Sequence, residues 1–128
     1  MIRLLVVDDD EINNFLLRHI LKKSSYDLQI QAFNDPVEAV GYIKQESDHI
    51  DILLLDINMP LMTGWDVLNE IRTDGESLMH QKKIYLLSSS VHSADKQKAK
   101  GYAEVSGFIS KPITLEFLST IFREVSES

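Results

Sequence analysis

Residues 52–55, Ile-Leu-Leu-Leu, carry no polar side chain, and the run ends on Asp56. A run this short and this apolar reads as a strand buried on both faces, as inside a parallel sheet. Asn58, Pro60 and Gly64 then interrupt regular structure before an amphipathic segment begins. Asp56 is therefore expected at the carboxyl end of a central strand, where the backbone opens into a loop. Open α/β sheets place their ligand crevice at that edge. Taken alone, Asp56 also fits a residue that only starts a turn or caps the next helix; the rest of the chain decides against that.

The same pattern recurs along the sequence. Residues 2–7 (IRLLVV) are strand-like and stop at Asp8, Asp9, Asp10 and Glu11. Ile12, Phe15, Leu16 and Ile20 follow at helical spacing and are expected to face inward. Residues 28–33 (LQIQAF) alternate like a half-buried strand. Asp35 then suits an N-cap and Pro36 a first helical turn, with Val37, Val40 and Ile43 as the inner face. The third strand spans residues 51–55. A helix over 64–72 turns Val67, Leu68 and Ile71 inward and ends near Asp74-Gly75. Residues 76–82 read as a loop, 84–87 as the fourth strand, closing on Ser88, Ser89 and Ser90, and 94–103 as a lysine-rich helix interrupted near Gly101. A fifth strand spans 107–110. After Lys111-Pro112, a last helix is marked by Leu115, Leu118, Ile121, Phe122 and Val125.

Five strand–helix units in sequence predict an α/β fold: a flavodoxin-like, three-layer sandwich with a parallel five-stranded sheet of order 2-1-3-4-5. That order brings Asp8/Asp9, Asp56, Ser88 and Lys111 together at one edge, although they lie far apart in sequence. With 128 residues the chain suits one domain, residues 1–128, with a single core. A net charge of −7 argues against direct nucleic-acid binding. No apolar run approaches the roughly 18 residues of a membrane span, and the start has no signal-peptide pattern. A cytoplasmic protein with no membrane contact is expected. Without cysteine there is no thiolate metal site.

Three carboxylates in one pocket repel. At about 4–5 Å and an effective dielectric near 20, each pair costs roughly 3–4 kcal/mol, so the site calls for cations. Lys111 offsets one charge. An all-oxygen donor set suits a hard ion, Mg²⁺ or Mn²⁺, for the rest. Mg²⁺ takes only one or two carboxylates and leaves room for a phosphoryl group. Asp56 can then act as a nucleophile and form an acyl phosphate, with Lys111 and the Ser88 hydroxyl against the transferred oxygens.

These residues resemble the receiver domains of bacterial two-component response regulators. The matching pieces are VVDDD at 6–10, LLLDINMPLMTG at 53–64, LLS at 86–88 and FISKP at 108–112, in the family's order over the whole chain. The resemblance implies that Asp56 is the phosphoacceptor, that Asp8 and Asp9 are the acidic pair, and that Asp9 is the more direct Mg²⁺ ligand. It further implies that the Asn58 backbone carbonyl completes the protein's metal ligands, that Lys111 bonds a phosphoryl oxygen, that Lys111-Pro112 is cis, and that Phe108 is a switching aromatic paired with Ser88. A histidine kinase or histidine phosphotransfer protein is implied as phosphodonor. A downstream protein would bind the face formed by the fourth helix, fifth strand and fifth helix. The molecule would be a signalling switch rather than an enzyme, catalysing only its own phosphorylation and dephosphorylation. Because the sequence ends on the fifth helix, a receiver domain with no output domain is expected, either a single-domain receiver that works through protein contacts or an excised part of a larger regulator. Two departures stand out. Three serines follow the fourth strand where the family has Thr or Ser and then Ala, so Ser88 carries the hydroxyl with Ser89 as the alternative. Glu104 stands where a glycine is common.

A second family offers a rival. Asp8-Asp9-Asp10 imitates the Asp-x-Asp of haloacid-dehalogenase-type Mg²⁺ phosphohydrolases, with Asp8 as nucleophile. Against it, Ile12 occupies the place of the usual threonine or valine, and a late acidic pair and a cap insertion are missing. His19, His49, His80 and His92 match no ligand spacing, and Trp65 and Phe15 read as packing residues.

Overall fold

The computed structural model describes residues 1–89 and 92–127, so Ser90 of the serine run lies outside the described residues. The strands are β1 (Ile2–Val7), β2 (Leu28–Phe33), β3 (Ile52–Asp56), the short pair β4 (Arg72–Thr73) and β5 (Glu76–Ser77), β6 (Lys83–Ser88) and β7 (Gly107–Ser110). The helices are α1 (Glu11–Leu21), α2 (Pro36–Glu46), α3 (Gly64–Glu70), α4 (Ser93–Ala99) and α5 (Leu115–Glu127). The main sheet has order β2-β1-β3-β6-β7 and is parallel at every pairing. With the β4–β5 hairpin set aside, this is the expected 2-1-3-4-5.

Alternation along the strands divides the core into two layers. Leu5, Val7, Leu53, Leu55, Ile84 and Leu86 face α2 and α3 through Ala39, Val40, Ile43, Trp65, Val67, Leu68 and Ile71. Leu4, Val6, Ile52, Leu54, Leu87 and Ile109 face α1 and α5 through Leu17, Leu21, Leu118, Ile121 and Phe122. Covering on both faces is why β3 is buried at every position. Helix starts follow local chemistry. The Asp10 and Asp35 side chains accept N–H groups at the starts of α1 and α2, Pro36 opens α2, and Thr63 and Asp66 form a capping box on α3.

Four local expectations are corrected. The inward stripe of α1 is not Ile12, Phe15, Leu16 and Ile20: Ile12 and Phe15 are 69% and 68% exposed, and Asn14, Leu17 and Leu21 are buried instead. The helix carries two overlapping apolar stripes, and the true inner one was disguised by a polar residue. On α2, Val37 is exposed while Pro36, Ala39, Val40 and Ile43 are buried. Helix α3 stops at Glu70, and Asp74-Gly75 is a hairpin turn rather than a helix cap. Both residues have positive φ, 53° and 82°, as the turn between two tightly joined strands demands. Helix α4 spans Ser93–Ala99 and ends short of Gly101.

Candidate functional site

Strand register assembles the site. Val7 pairs with Leu55, so Asp8 and Asp56 are the next residues on neighbouring strands. Asp56 in turn pairs with Leu87, one residue before Ser88, and Ser88 pairs with Ser110, one residue before Lys111. One carboxylate oxygen from each of Asp8, Asp9 and Asp56 lies within 4.8 Å of the others, with Asp8 and Asp56 buried and Asp9 exposed. The sheet thus brings Asp8, Asp9, Asp56, Ser88 and Lys111 to one edge.

Lys111 is the cation of this pocket. Its Nζ donates to Asp8 Oδ2 at 2.8 Å and stands 3.4 Å from Asp56 Oδ2. Burial pushes the Lys111 ammonium toward neutrality, but the hydrogen bond to Asp8 and the charges of Asp8 and Asp56 outweigh it and lift its pKa above 10.5. The Lys111 backbone N–H donates to Ser88 O at 2.8 Å, and its peptide bond to Pro112 is cis, as expected. Asp56 is 5% exposed. Burial and the neighbouring Asp8 charge raise its pKa to about 6, against the lowering effects of Lys111 and of the Asn58 N–H, which donates to Asp56 Oδ1 at 3.3 Å. One lysine does not offset the pocket's negative charge.

Backbone contacts set the positions of the acids. The Asp10 N–H donates to Asp8 Oδ1 at 3.0 Å, and Asn14 Nδ2 donates to the Asp8 carbonyl at 3.0 Å. From sequence, Asn13 and Asn14 lie close enough to the acidic pair to touch a phosphate, with no direct role expected; the structure gives Asn14 a positioning contact with Asp8. Its signal in the sequence was closeness to Asp8 and Asp9, and what was hidden is that it lies on the buried stripe of α1. Gly64 closes the loop after Asp56: its N–H donates to Ile57 O at 2.8 Å, and a Cβ there would lie 2.7 Å from Asp56 O. Only glycine permits that approach. Between them, Leu61 holds φ of 69° and is fully exposed, in a tight turn closed by Met62 N–H to Pro60 O.

Ser88 is 1% exposed. Leu86 belongs to the core layer facing α3 and Leu87 to the other, so alternation puts Ser88 on the α3 side. Phe108 pairs with Leu86 and packs, half-buried, on that same layer. Ser88 and Phe108 are therefore neighbours on one face of the sheet, whereas Asn58 is exposed in the loop beyond Asp56.

The donors fit a hard divalent cation: carboxylates only, converging, with negative charge in excess. The arrangement also bears on the phosphohydrolase rival. Asp10, its second carboxylate, caps α1 by accepting from Ile12 and Asn13 N–H, while Asp8 is held by Lys111.

Known proteins share this fold and much of this sequence. The family model described as the response regulator receiver domain matches residues 4–123. The response regulator MprA of Mycobacterium bovis is 32% identical over 117 residues, covering 91% of this chain and 47% of MprA. The sensor histidine kinase RcsC of Escherichia coli is 33% identical over 115 residues, 90% of this chain and 11% of RcsC. The chain thus spans less than half the length of either relative. Among solved structures, a two-component response regulator from Cytophaga hutchinsonii superposes with a TM-score of 0.84 at 27% identity, over 98% of this chain and 97% of that one. The chemotaxis protein CheY4 of Vibrio cholerae gives 0.79 at 25% identity, over 98% of each chain. A match over nearly the whole length, with the acidic pocket at the sheet edge where the motifs put it, makes this chain a member of the response regulator receiver family.

Proposed function

We propose that the protein is a phosphorylation-controlled signalling switch whose acceptor is Asp56. The observation that carries this is the pocket itself: three converging carboxylates faced, among the described residues, by one lysine, which reaches two of them and leaves negative charge in excess. The donor is a phosphohistidine on a histidine kinase or histidine phosphotransfer protein. A carboxylate oxygen of Asp56 attacks phosphorus. The O–P bond forms as the P–N bond breaks, and the electron pair returns to the imidazole nitrogen, which takes up a proton. Lys111 has its ammonium near Asp56 and donates to a transferred oxygen. Asp8, Asp9, Asp56 and the Asn58 carbonyl would hold Mg²⁺ (or Mn²⁺). When bound, that ion offsets negative charge on the transferred group. A pKa of about 6 leaves Asp56 mostly ionised, and so nucleophilic, at neutral pH.

The output follows from Ser88 and Phe108. A phosphoryl oxygen on Asp56 offers the Ser88 hydroxyl a new acceptor. The movement vacates space on the face that Phe108 shares, and shifts a pre-existing equilibrium at α4, β7 and α5 toward partner binding. Exposed Ile12, Phe15 and Leu16 on α1, the helix that begins at the acidic pocket, supply apolar surface for a protein donor. The protein catalyses only its own phosphorylation and dephosphorylation, and works in the cytoplasm without contacting nucleic acid or membrane. No described helix is long and apolar enough to cross a membrane.

With acetyl phosphate and Mg²⁺, intact mass should rise by one phosphoryl group, and Asp56→Asn should abolish the gain. Labelling that persists in Asp56→Asn and disappears in Asp8→Asn would instead favour the phosphohydrolase.

A further inference from the structure

Helix α4 is weakly held by its own residues. It has seven residues and none of them is buried. Ala99 packs, half-buried, on the core, and a stack of side chains gathers at the carboxyl end of the helix. Lys98 Nζ sits 5.3 Å above the buried Trp65 ring on α3. Trp65 packs on Tyr102, with ring centroids 5.2 Å apart, and the Tyr102 hydroxyl donates to Asn69 Oδ1 of α3 at 3.0 Å. The Arg72 guanidinium, at the start of the β4–β5 hairpin, lies 4.5 Å over the other part of that ring system, on Tyr102. The same guanidinium forks onto Glu104 through two bonds of 3.1 and 3.2 Å, and donates to the Gly101 carbonyl at 3.3 Å. The Glu104 side chain is only 7% exposed. Glu104 is the residue that stands where the family commonly has glycine, so this fork is not supplied by the family pattern.

We propose that the stack Lys98–Trp65–Tyr102–Arg72–Glu104 is the anchor of α4, fixing its carboxyl end and the following loop to α3 so that movement of the helix pivots there. Three features support it. Planar groups in alternating contact resist sliding, and a forked guanidinium–carboxylate pair fixes orientation as a lysine would not. Trp65 follows Gly64, whose backbone is bonded to the loop just after Asp56, so the fixed end of α4 is tied to the acceptor's own loop. None of the seven α4 residues, Ser93–Ala99, is itself buried. Strengthening or weakening the anchor therefore sets how far α4 responds. That consequence for signalling rests on Asp56 being the acceptor.

Native-state hydrogen exchange tests the anchor without any phosphoryl group. Arg72→Gln should lower protection across residues 93–106 on the order of tenfold while leaving β3 unchanged. Emission from Trp65, the single tryptophan, should move to the red. Arg72→Lys should lie between parent and Arg72→Gln. Adding Glu104→Gln to Arg72→Gln should recover part of the loss, because it removes a buried carboxylate left without its cation. If Arg72→Gln does not fold, Glu104→Gln alone carries the test. Unchanged exchange in 93–106, or an equal fall in β3, overturns the anchor. Beryllofluoride with Mg²⁺ then separates the two ideas. Larger shift changes in α4 of Arg72→Gln than of the parent support the pivot, and equal ones count against it. No response around Asp56 in the parent counts against the acceptor, and leaves the anchor to be judged on exchange.

Discussion

Asp56 carries a cost that the fold tolerates. Its pKa is raised to about 6, above the ordinary carboxylate value of 3.8, chiefly by burial. A group whose folded pKa is raised favours the folded state at low pH, and that contribution is lost as pH climbs from about 4 to about 6. Above that range the ionised carboxylate destabilises the metal-free protein by roughly 2–3 kcal/mol, at 1.36 kcal/mol per unit. Asp56→Asn should therefore be more stable than the parent by about that amount near neutral pH in the presence of a chelator. The difference should fade toward pH ~4. Urea melts of both proteins across this range would show it, and a constant difference at all pH values would contradict the burial argument. At this scale the sequence was readable where chemistry is concentrated. Aspartates at strand ends and a lysine before proline are conspicuous. Asn14 was readable only as a neighbour of the acidic pair; its contact with the Asp8 carbonyl was not, because a buried asparagine on a helix looks like an exposed one until the helix face is known.

Elements were legible when their apolar pattern admitted one reading. Strand β3 has no polar side chain, so its burial on both faces followed directly. Helix α1 has apolar residues on two stripes, and periodicity alone favoured the one that contains Phe15. Only packing selects Leu17 and Leu21, since the sheet must accept Asn14 beside Asp8. Asp74-Gly75 satisfies both a helix end and a hairpin turn; the structure takes the turn, with Arg72 beyond the helix end forking onto Glu104. The coupling between β6 and β7 is testable at this scale. Ser88→Ala should still accept phosphate on Asp56, more slowly, yet lose the response of α4 and β7. Amide spectra of residues 91–112 with and without beryllofluoride and Mg²⁺ report this; equal shift changes in parent and variant would remove Ser88 from the route.

Across the whole molecule, topology was legible because parallel strands joined by helices leave few arrangements. The acidic pocket is a consequence of that order: β1, β3 and β6 are neighbours, and β7 delivers Lys111 at the end. A metal that binds only the folded pocket must stabilise the fold by mass action. Millimolar Mg²⁺ should raise the melting temperature, and Asp9→Asn should shrink that rise while melting higher than the parent in its absence. A parent indifferent to Mg²⁺ would argue against the site.

Strand order also sets a timetable for synthesis. All three pocket acids are encoded before residue 57, and β2, β1 and β3 are contiguous in the sheet, so the anionic half can pair before the rest has emerged from the ribosome. Its counter-charge, Lys111, arrives about 55 residues later, after several seconds of elongation at ordinary rates. A half-sheet that paired in that interval would hold its carboxylates without their lysine. A divalent cation from solution would then have to stand in for the lysine, so a cell short of magnesium should lose more of this protein during translation than after release.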